Sequence, residues 1–567
     1  MKKLLLFFSV VSALNASAQN PAFEWVQSIG TGEYYGGSHA LDAQNNTYTV
    51  GNFDGIVDFD PGAGTANLDS SIADCYITKF DSEGNFVWAK NFGGNLVQIN
   101  DIHIDVNGKM YLTGFFFGTG DFDPGNGVFS MDSLNGGGVF ISTLTADGNL
   151  IWAKQFAAFD QAVSIALDNS GNIYIGGGYN GTTDFDPGSG TFMMTSPTAD
   201  VFEIAGFIVK LNASGNFVWA ISLDVIQGGP FLKIDNGGNI VVAGSFSLTR
   251  DFDPGIAESL LTAAGFDLYL VKLTGDGGYI WAKQIGGQNS NIGISKFILD
   301  ENNNIYFTGS FRGSMDFNPG TDVFQMTTLA ESAQEAYLEK LDSDGNFVWA
   351  KHFNAIPDPE ILSTITQFGT GITRDAYGNI YITGSLTGRI DFDSGVGEAI
   401  FANIYSDTFI CKLDSNANYI WAGILNNVGS SSGNHISIDS EESLITTGFF
   451  NEADFDMGTG TFMLTSIGGG GFPSSYILKM TQESLGINQY YKDNTIMAYP
   501  NPTNGSFNIK ASADFIGATM SVFNLVGQKV QEFTIESQTT TKTLDKGFYI
   551  LEAGQGKQKS QIKLIVR

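Results

Sequence analysis

The pentapeptide Asp58-Phe59-Asp60-Pro61-Gly62 decides the fold, because it returns six more times along the chain with at most one substitution per copy. Successive copies start 63 to 75 residues apart, and the later ones begin at Asp121, Asp184, Asp251, Asp316, Asp391 and Asp454. One unit of about 65 residues has therefore been copied seven times. A unit of this size cannot bury its own apolar faces, so neighbouring copies must stack into a ring or a solenoid.

Each unit is predicted to form four strands. It opens with a strand around tryptophan, and all seven tryptophans of the chain hold this position. An apolar strand ending in Asp follows, as in Ile102-His103-Ile104-Asp105, then a Gly or Asn turn and a third strand. The fourth strand ends in Lys and an apolar residue, as in Phe207-Ile208-Val209-Lys210-Leu211. Apolar residues at both parities indicate sheets covered on both faces, as in stacked blades.

The two ends of the repeated region complement each other. The strand around Trp25 has no Lys strand before it, and the last Lys strand, Tyr476 to Met480, has no Trp strand after it. Pairing the two hides both edges and closes a ring. The sequence therefore predicts an all-β protein whose residues 19–480 form a seven-bladed β-propeller closed by the N-terminal strand. An open β-solenoid is the main alternative.

The N-terminus and the charge predict an exported protein. Lys2 and Lys3 precede an apolar run and the small residues Ala16-Ser17-Ala18, a pattern typical of a signal peptide, here residues 1–18. No stretch of about 20 apolar residues follows, so no membrane span is expected. The formal net charge of −31 repels phosphates, which argues against a nucleic acid partner.

The repeats over residues 23–480 resemble the bacterial β-propeller repeat families of exported proteins. In those families too, a strand ending in Lys-Leu-Asp, a Gly-Asn turn and a Trp strand recur together. The resemblance implies a fold and no particular activity.

The last 73 residues carry a different pattern. After a mostly polar linker, residues 481–494, alternating apolar positions predict a small Ig-like β-sandwich over residues 495–567. Its motifs are Tyr499-Pro500-Asn501-Pro502, Val522 to Gln528, Gly547 to Leu551 and Lys563 to Arg567. They resemble the C-terminal sorting domain of the type IX (Por) secretion system of Bacteroidota. The resemblance implies that the type IX machinery is a partner, and that the protein is secreted or held at the outer-membrane surface.

The pentapeptides are the candidate metal sites. In an extended Asp-Phe-Asp the two carboxylates share a face and the Phe points into the blade. Calcium prefers such oxygen ligands, and its candidate ligands are Asp58, Asp60, Asp121, Asp123, Asp184, Asp186, Asp251, Asp253, Asp391, Asp393, Asp454 and Asp456. The favoured alternative is that the second Asp caps its own turn, because Asn318 replaces it in copy five. No other cofactor is expected.

The sequence favours binding over catalysis. The four histidines, His39, His103, His352 and His435, fall at different offsets in their repeats, so no shared zinc or catalytic site is expected. We expect a non-catalytic propeller that binds an extracellular glycan or protein through variable loops such as 355–367 and 467–474. The alternative is a secreted polysaccharide-degrading hydrolase or lyase, with converging carboxylates near the ring axis.

Overall fold

The computed structural model describes residues 21–566 apart from 30–35, 95, 134–136, 157–161, 198–202, 227, 288–290, 358–364, 396, 428, 459, 468–472, 483–495, 500–502, 504, 512–514, 525–527, 538 and 556–557. These residues fall into two compact units, one within Asn20–Gln482 and one within Glu483–Arg567. Their regular structure is all β, in 47 strands. Among them, no helix has the length and apolarity that crossing a membrane requires. The predicted signal peptide and most of the predicted linker lie outside the described residues.

The first unit is built on seven antiparallel sheets, each with a four-stranded core, which we number 1 to 7 in chain order. The four strands of a core are called first to fourth, and the tryptophan strand is the fourth. The strands are Gly36–Leu41, Thr47–Asp58, Asn67–Phe80 and Phe86–Gly94 in sheet 1; Val97–Ile104, Met110–Phe116, Gly138–Leu144 and Leu150–Phe156 in sheet 2; Ala162–Leu167, Ile173–Tyr179, Ile204–Leu211 and Phe217–Ile226 in sheet 3; Gly228–Ile234, Ile240–Phe246, Asp267–Leu273 and Tyr279–Ile285 in sheet 4; Asn291–Leu299, Ile305–Arg312, Glu335–Leu341 and Phe347–His352 in sheet 5; Thr366–Arg374, Ile380–Asp391, Ile400–Leu413 and Tyr419–Ile424 in sheet 6; and Ser431–Ile438, Leu444–Phe450, Ser474–Thr481 and Ala22–Ile29 in sheet 7.

Sheet 7 joins the two ends of the unit. Its fourth strand, Ala22–Ile29, pairs antiparallel with Ser474–Thr481, and Trp25 lies opposite Lys479. The same register puts Trp88 opposite Lys79 in sheet 1. The first strands also contact one another in turn from sheet 1 to sheet 7, and that of sheet 7 contacts that of sheet 1. The N-terminal strand thus completes the sheet formed by the C-terminal end of this unit.

Short hairpins between the second and third strands carry the pentapeptides. In sheets 1 and 6 these hairpins continue the long second and third strands. Elsewhere they are separate pairs, namely Thr119–Asp121 with Ser130–Asp132, Thr182–Asp184 with Met193–Thr195, Thr249–Asp251 with Leu260–Thr262, Ser314–Asp316 with Gln325–Thr327, and Glu452–Asp454 with Met463–Thr465. Two more short strands, Asn354–Ala355 and Asn426–Asn427, pair with Ile380–Asp391 and Glu452–Asp454.

The apolar cores lie between neighbouring sheets. One cluster joins Tyr48 and Ile77 of sheet 1 to Leu112 and Phe140 of sheet 2, and all four are fully buried. Another joins Ile445 and Ile477 of sheet 7 to residues of sheet 1. Both faces of most sheets are therefore covered, which explains why apolar residues occur at both parities of the strands. Cys75 and Cys411 are free thiols buried in two of these cores.

The tryptophans pack across the interface between sheets. A Cβ added to Gly148 would lie 3.0 Å from Cη2 of Trp88, and one on Gly215 would lie 2.7 Å from Cζ2 of Trp152. In each case the glycine belongs to the turn between the third and fourth strands of the next sheet. Trp421 is buried and the other six indoles are half-buried, because the fourth strand is the outer edge of its four-stranded core.

The second unit has two antiparallel sheets around one apolar core. One contains Ile496–Tyr499, Ser506–Ala511 and Thr539–Thr543, and the other contains Lys529–Thr534, Thr519–Asn524, Gly547–Gln555 and Gln558–Val566. Phe507 and Ile509 of the first sheet pack in one cluster with Val522 and Leu551 of the second. Each sheet buries one face, which is what the alternating apolar pattern predicts.

Candidate functional site

The pentapeptide aspartates are capping residues in the structure. In the third copy, Oδ1 of Asp184 accepts hydrogen bonds from the backbone N–H of Asp186, at 3.1 Å, and of Phe192, at 2.8 Å. Oδ1 of Asp186 accepts one from Gly188 N–H at 2.8 Å. Phe185 between them is fully buried. The first Asp thus closes the whole loop, the second Asp closes the turn, and the Phe anchors both to the core.

The same bonds recur in the other copies, including the one that lacks the second carboxylate. Asn318 accepts a hydrogen bond from Gly320 N–H at 2.8 Å, as Asp186 does from Gly188. One oxygen of each side chain is therefore engaged by the backbone without any cation. In the described part of the chain, no three His, Cys, Asp or Glu side chains are grouped as metal ligands. The calcium hypothesis for the twelve aspartates stays a prediction.

A second set of aspartates caps the turns between the first and second strands. Oδ1 of Asp375 accepts hydrogen bonds from the backbone N–H of Tyr377 and Asn379, and Oδ2 accepts from Asn379 Nδ2 at 2.6 Å and Tyr381 OH at 2.9 Å. In sheet 4, the equivalent Asp235 also pairs with Lys272 at 2.9 Å. Although burial opposes it, the bonds from Lys272 and Asn239 hold the pKa of Asp235 below its usual value. These carboxylates hold the turns together.

The most concentrated chemistry lies on the first strands, which contact one another in turn from sheet 1 to sheet 7 and from sheet 7 to sheet 1. We call six residues the axial cluster: His39, Asp101, His103, Lys233, Lys296 and His435. They belong to the first strands of sheets 1, 2, 4, 5 and 7. Among these, the strands of sheets 1 and 2, 4 and 5, and 7 and 1 contact each other. The ring centroids of His39 and His435 are 5.9 Å apart.

Two of the histidines, His39 and His435, are neighbours although their offsets within their repeats differ. Pairing of the chain ends places sheet 7 beside sheet 1, so residues almost 400 positions apart meet. The two rings contact edge to face. Histidines of the first and last repeats become neighbours because the first strand of sheet 7 contacts that of sheet 1.

His39 is held on both sides by sheet 7. Its Nδ1 lies 2.9 Å from Thr447 Oγ1 and its Nε2 lies 2.6 Å from Ser437 Oγ. Burial, and then the positive charge of Lys296, lower the pKa of His39 to about 3. Burial, followed by Lys296, His39 and Lys233, lowers the pKa of His435 well below its usual range. Both imidazoles are therefore neutral at pH 7.

Asp101 ties three sheets together at the axis. Its Oδ1 accepts a hydrogen bond from Ser38 Oγ of sheet 1 at 3.4 Å, and its Oδ2 accepts one from Ile165 N–H of sheet 3 at 3.1 Å. Burial lowers the pKa of Lys233; the charge of Asp101 opposes that shift and the charge of Lys296 adds to it. The cluster therefore combines two amines with one carboxylate in a chain whose formal net charge is −31.

The axial residues could have been found from the sequence by a different alignment. His103 and Lys233 lie two residues before the Asp that ends their first strand, and Asp101, Lys296 and His435 lie four before it. Positions two apart share a face of a strand, so these five side chains are in phase. His39 lies three before its Asp and faces sheet 7 instead.

The variable loops are described only in part. Of the predicted binding loops, residues 358–364 and 468–472 lie outside the described residues. Ile467 N–H donates to Ser474 Oγ at 3.0 Å, which closes the base of the second loop.

Comparison with known proteins identifies the second unit. Residues 497–567 match the family model of the secretion system C-terminal sorting domain. The predicted type IX sorting domain is thereby confirmed for this part of the chain. A domain of this kind implies export by the type IX system, to the cell surface or into the medium.

The first unit has more distant likenesses. The chain is 23% identical over 461 residues to an uncharacterised WD repeat-containing protein, L264, of Acanthamoeba polyphaga mimivirus. The match covers 69% of this chain and 32% of that protein, so the chain spans about a third of its relative's length.

Two solved structures show a remote similarity. The WD40 domain of Neurospora crassa Pan2 is 7% identical, with a TM-score of 0.38 over 79% of this chain and 90% of that one. PorZ, an essential bacterial surface component of the type IX secretion system of Porphyromonas gingivalis, is 11% identical, with a TM-score of 0.17 over 97% of this chain and all of PorZ. Scores this low do not establish a shared fold.

Proposed function

We propose that this protein is an exported, non-catalytic β-propeller that binds an extracellular glycan or protein ligand. Its seven sheets are the blades, and the strand Ala22–Ile29 closes the ring by pairing with Ser474–Thr481. The second unit is an Ig-like sandwich that serves transport. The observation that carries the proposal is the sorting-domain match of residues 497–567, because a cargo sent outside the cell acts on what it meets there.

The route and destination follow from the two ends of the chain. A signal peptide, residues 1–18, takes the chain across the inner membrane of a bacterium of the Bacteroidota. The type IX machinery then recognises residues 495–567 and passes the protein through the outer membrane. The mature propeller is secreted or held at the outer-membrane surface.

A binding role fits the chemistry of the axis better than glycoside hydrolysis does. Hydrolysis uses a pair of carboxylates flanking the scissile bond, whereas the axial cluster contributes Asp101 alone among its six residues. Asp101 is moreover occupied by Ser38 and by the backbone of Ile165. The second candidate is a polysaccharide lyase, which the neutral histidines and the two axial lysines favour as groups that can exchange protons.

The delivery half of the proposal is tested by truncation in the producing cells. Removal of residues 495–567 should leave the propeller folded but retained inside the outer membrane, as judged by fractionation and protease access on intact cells. Release of the truncated protein at the full-length rate would contradict type IX delivery.

The binding half is tested on the purified mature protein with a panel of neutral and acidic glycans, with and without a calcium chelator. Saturable binding with the glycan recovered intact supports the binding module. Shortened products would overturn the non-catalytic role, and unsaturated uronate ends among them would identify a lyase.

A further inference from the structure

We infer that the axial cluster is a binding site for an anionic group, a carboxylate or a sulfate, carried by the ligand of this propeller. The inference names the chemical class of the ligand and rests on the proposed binding role. It stands on two observations: Lys233 and Lys296 lie on the contacting first strands of sheets 4 and 5, and the charge of Lys233 acts on both His103 and His435, from sheets 2 and 7.

The charges at the axis are not balanced by the protein itself. Lys233 and Lys296 are both half-buried and close enough for their charges to interact. Two partly desolvated ammonium groups in proximity are costly unless opposite charges offset them. Asp101 supplies one such charge beside Lys233. A bound anion would supply the second.

The hydrogen-bond donors at the axis are free to meet a ligand. In the described part of the chain, no side chain or backbone group pairs with the amines of Lys233 and Lys296 or with the ring nitrogens of His103 and His435. All four residues are half-buried. A charge-assisted hydrogen bond from an ammonium group to an oxyanion is the strong contact that such a site offers.

His39 has a different part in this site. Both of its ring nitrogens are taken up by Thr447 and Ser437, so it has no donor left for a ligand. It packs edge to face on His435 and fixes the orientation of that ring. His39 is therefore a positioning residue.

The charges of the same groups favour an anion over a cation. Imidazoles and carboxylates also bind metals, but the described residues hold no group of three such side chains with that geometry. The positive charge of Lys296 bears on both His39 and His435 and would repel a metal ion. Walls of low dielectric around a positive patch concentrate anions instead.

The test is calorimetric titration of the mature full-length protein with sodium sulfate, sodium acetate, an oligogalacturonate and a neutral oligosaccharide of the same length. The variants are Lys233→Gln combined with Lys296→Gln, and the control Lys351→Gln, a lysine of the fourth strand of sheet 5. We expect the wild type and the control to bind the acidic probes, and the double variant to bind them at least about tenfold more weakly. Added salt should weaken binding to the wild type.

The free ions and the acidic glycan distinguish the two possible sources of the anion. If the wild type binds both sulfate and oligogalacturonate and the double variant binds them more weakly, the anion is carried by a glycan. If only sulfate or acetate shows this difference, the ligand is a small free anion. Equal affinity of the double variant and the wild type, or no heat with any acidic probe, would overturn the inference.

The outcomes also separate this inference from the proposed function. Binding of the neutral oligosaccharide that survives in the double variant would leave the binding module standing and remove the axial anion site. Because removal of two like charges relieves repulsion, the double variant should fold, and a melting temperature at or above that of the wild type would verify it.

Discussion

The indole of Trp25 lies over Gly84 so closely that a Cβ on this glycine would come 2.5 Å from Cδ2 of the tryptophan. Trp25 belongs to the N-terminal strand, and Gly84 to the turn between the third and fourth strands of sheet 1. Two residues further on, Gln27 Nε2 donates a hydrogen bond to Gly84 O at 2.8 Å. The strand that joins the two ends is therefore held by the backbone of sheet 7 on one side and by sheet 1 on the other.

The first prediction concerns this contact. Gly84→Ala should lower the free energy of unfolding by about 2–4 kcal/mol, because the residue has a φ of +81° and its new methyl group meets the indole. Chemical denaturation measures the loss. Gly238→Ala is the matched control, since its φ is +79° in a similar turn and nothing lies within 4 Å of the added Cβ. It should cost about 1–2 kcal/mol. Equal losses in the two variants would mean that the Trp25 contact adds nothing.

Much of this architecture is predictable from the sequence, because a repeat carries its own register. The strands around Trp25 and Tyr476 each lack a partner in their own repeat, so the sequence predicts that they pair with each other. The turn cap by Asp186 follows from the preference of Asp-Pro-Gly for a tight turn. The role of Asp184 does not follow, because its second donor, Phe192 N–H, lies eight residues away on the far side of the turn.

Two other features depend on three-dimensional closure and on stacking. The meeting of His39 with His435 depends on the contact between sheets 1 and 7, which offsets within one repeat cannot show. Glu339 occupies a strand position that tolerates any residue in the repeat pattern, and only stacking of sheet 5 on its neighbour shows that the position is fully buried. Local spacing predicts contacts within a repeat better than contacts across the ring.

Glu339 is the subject of the second prediction. It is fully buried opposite Phe307 and Ala350, and neither of its carboxylate oxygens has a hydrogen-bond partner among the described residues. Burial, and then the charge of Asp316, raise its pKa well above the usual value. Glu339→Met should therefore raise the free energy of unfolding at pH 8 by about 1–3 kcal/mol.

The pH dependence of this gain has a definite sign. Because the pKa of Glu339 is raised in the folded state, this residue contributes stability to the wild type below its unfolded pKa of about 4.3. That contribution is lost as the pH rises above this value. The advantage of the Met variant should thus grow from pH 4 to pH 8 in urea titrations. The control is Glu335→Met, which removes bonds to Leu329 N–H and His352 and should destabilise the protein at pH 8. A variant at Glu339 that is less stable than wild type at pH 8 would contradict the prediction.

The third prediction separates capping from calcium in the pentapeptides. Asp184→Ala removes two backbone hydrogen bonds and should cost about 1–2 kcal/mol. Asp186→Asn should be nearly neutral, because Asn318 makes the equivalent bond at the same 2.8 Å. Thermal melts in calcium and in chelator measure both effects. If chelator lowered the melting temperature of the wild type more than that of Asp186→Asn, this loop would be a calcium site.

The fourth prediction is an acid sensitivity that originates at His39. Its neighbours with charge or titratable groups are Lys296 and His435, and its folded-state pKa of about 3 lies below the unfolded value of about 6.5. Between these two pKa values, His39 binds a proton in the unfolded state but not in the folded state. Its contribution to stability is therefore complete above pH 6.5 and is lost as the pH falls toward 3. The loss is at most about 1.4 kcal/mol per pH unit. His39→Gln removes this titration but leaves that of His435. Urea titrations from pH 8 to pH 4.5 should therefore show a shallower loss of stability in the variant than in the wild type. Parallel curves would contradict the prediction, because they would show that His39 binds its proton equally well in the folded and unfolded states.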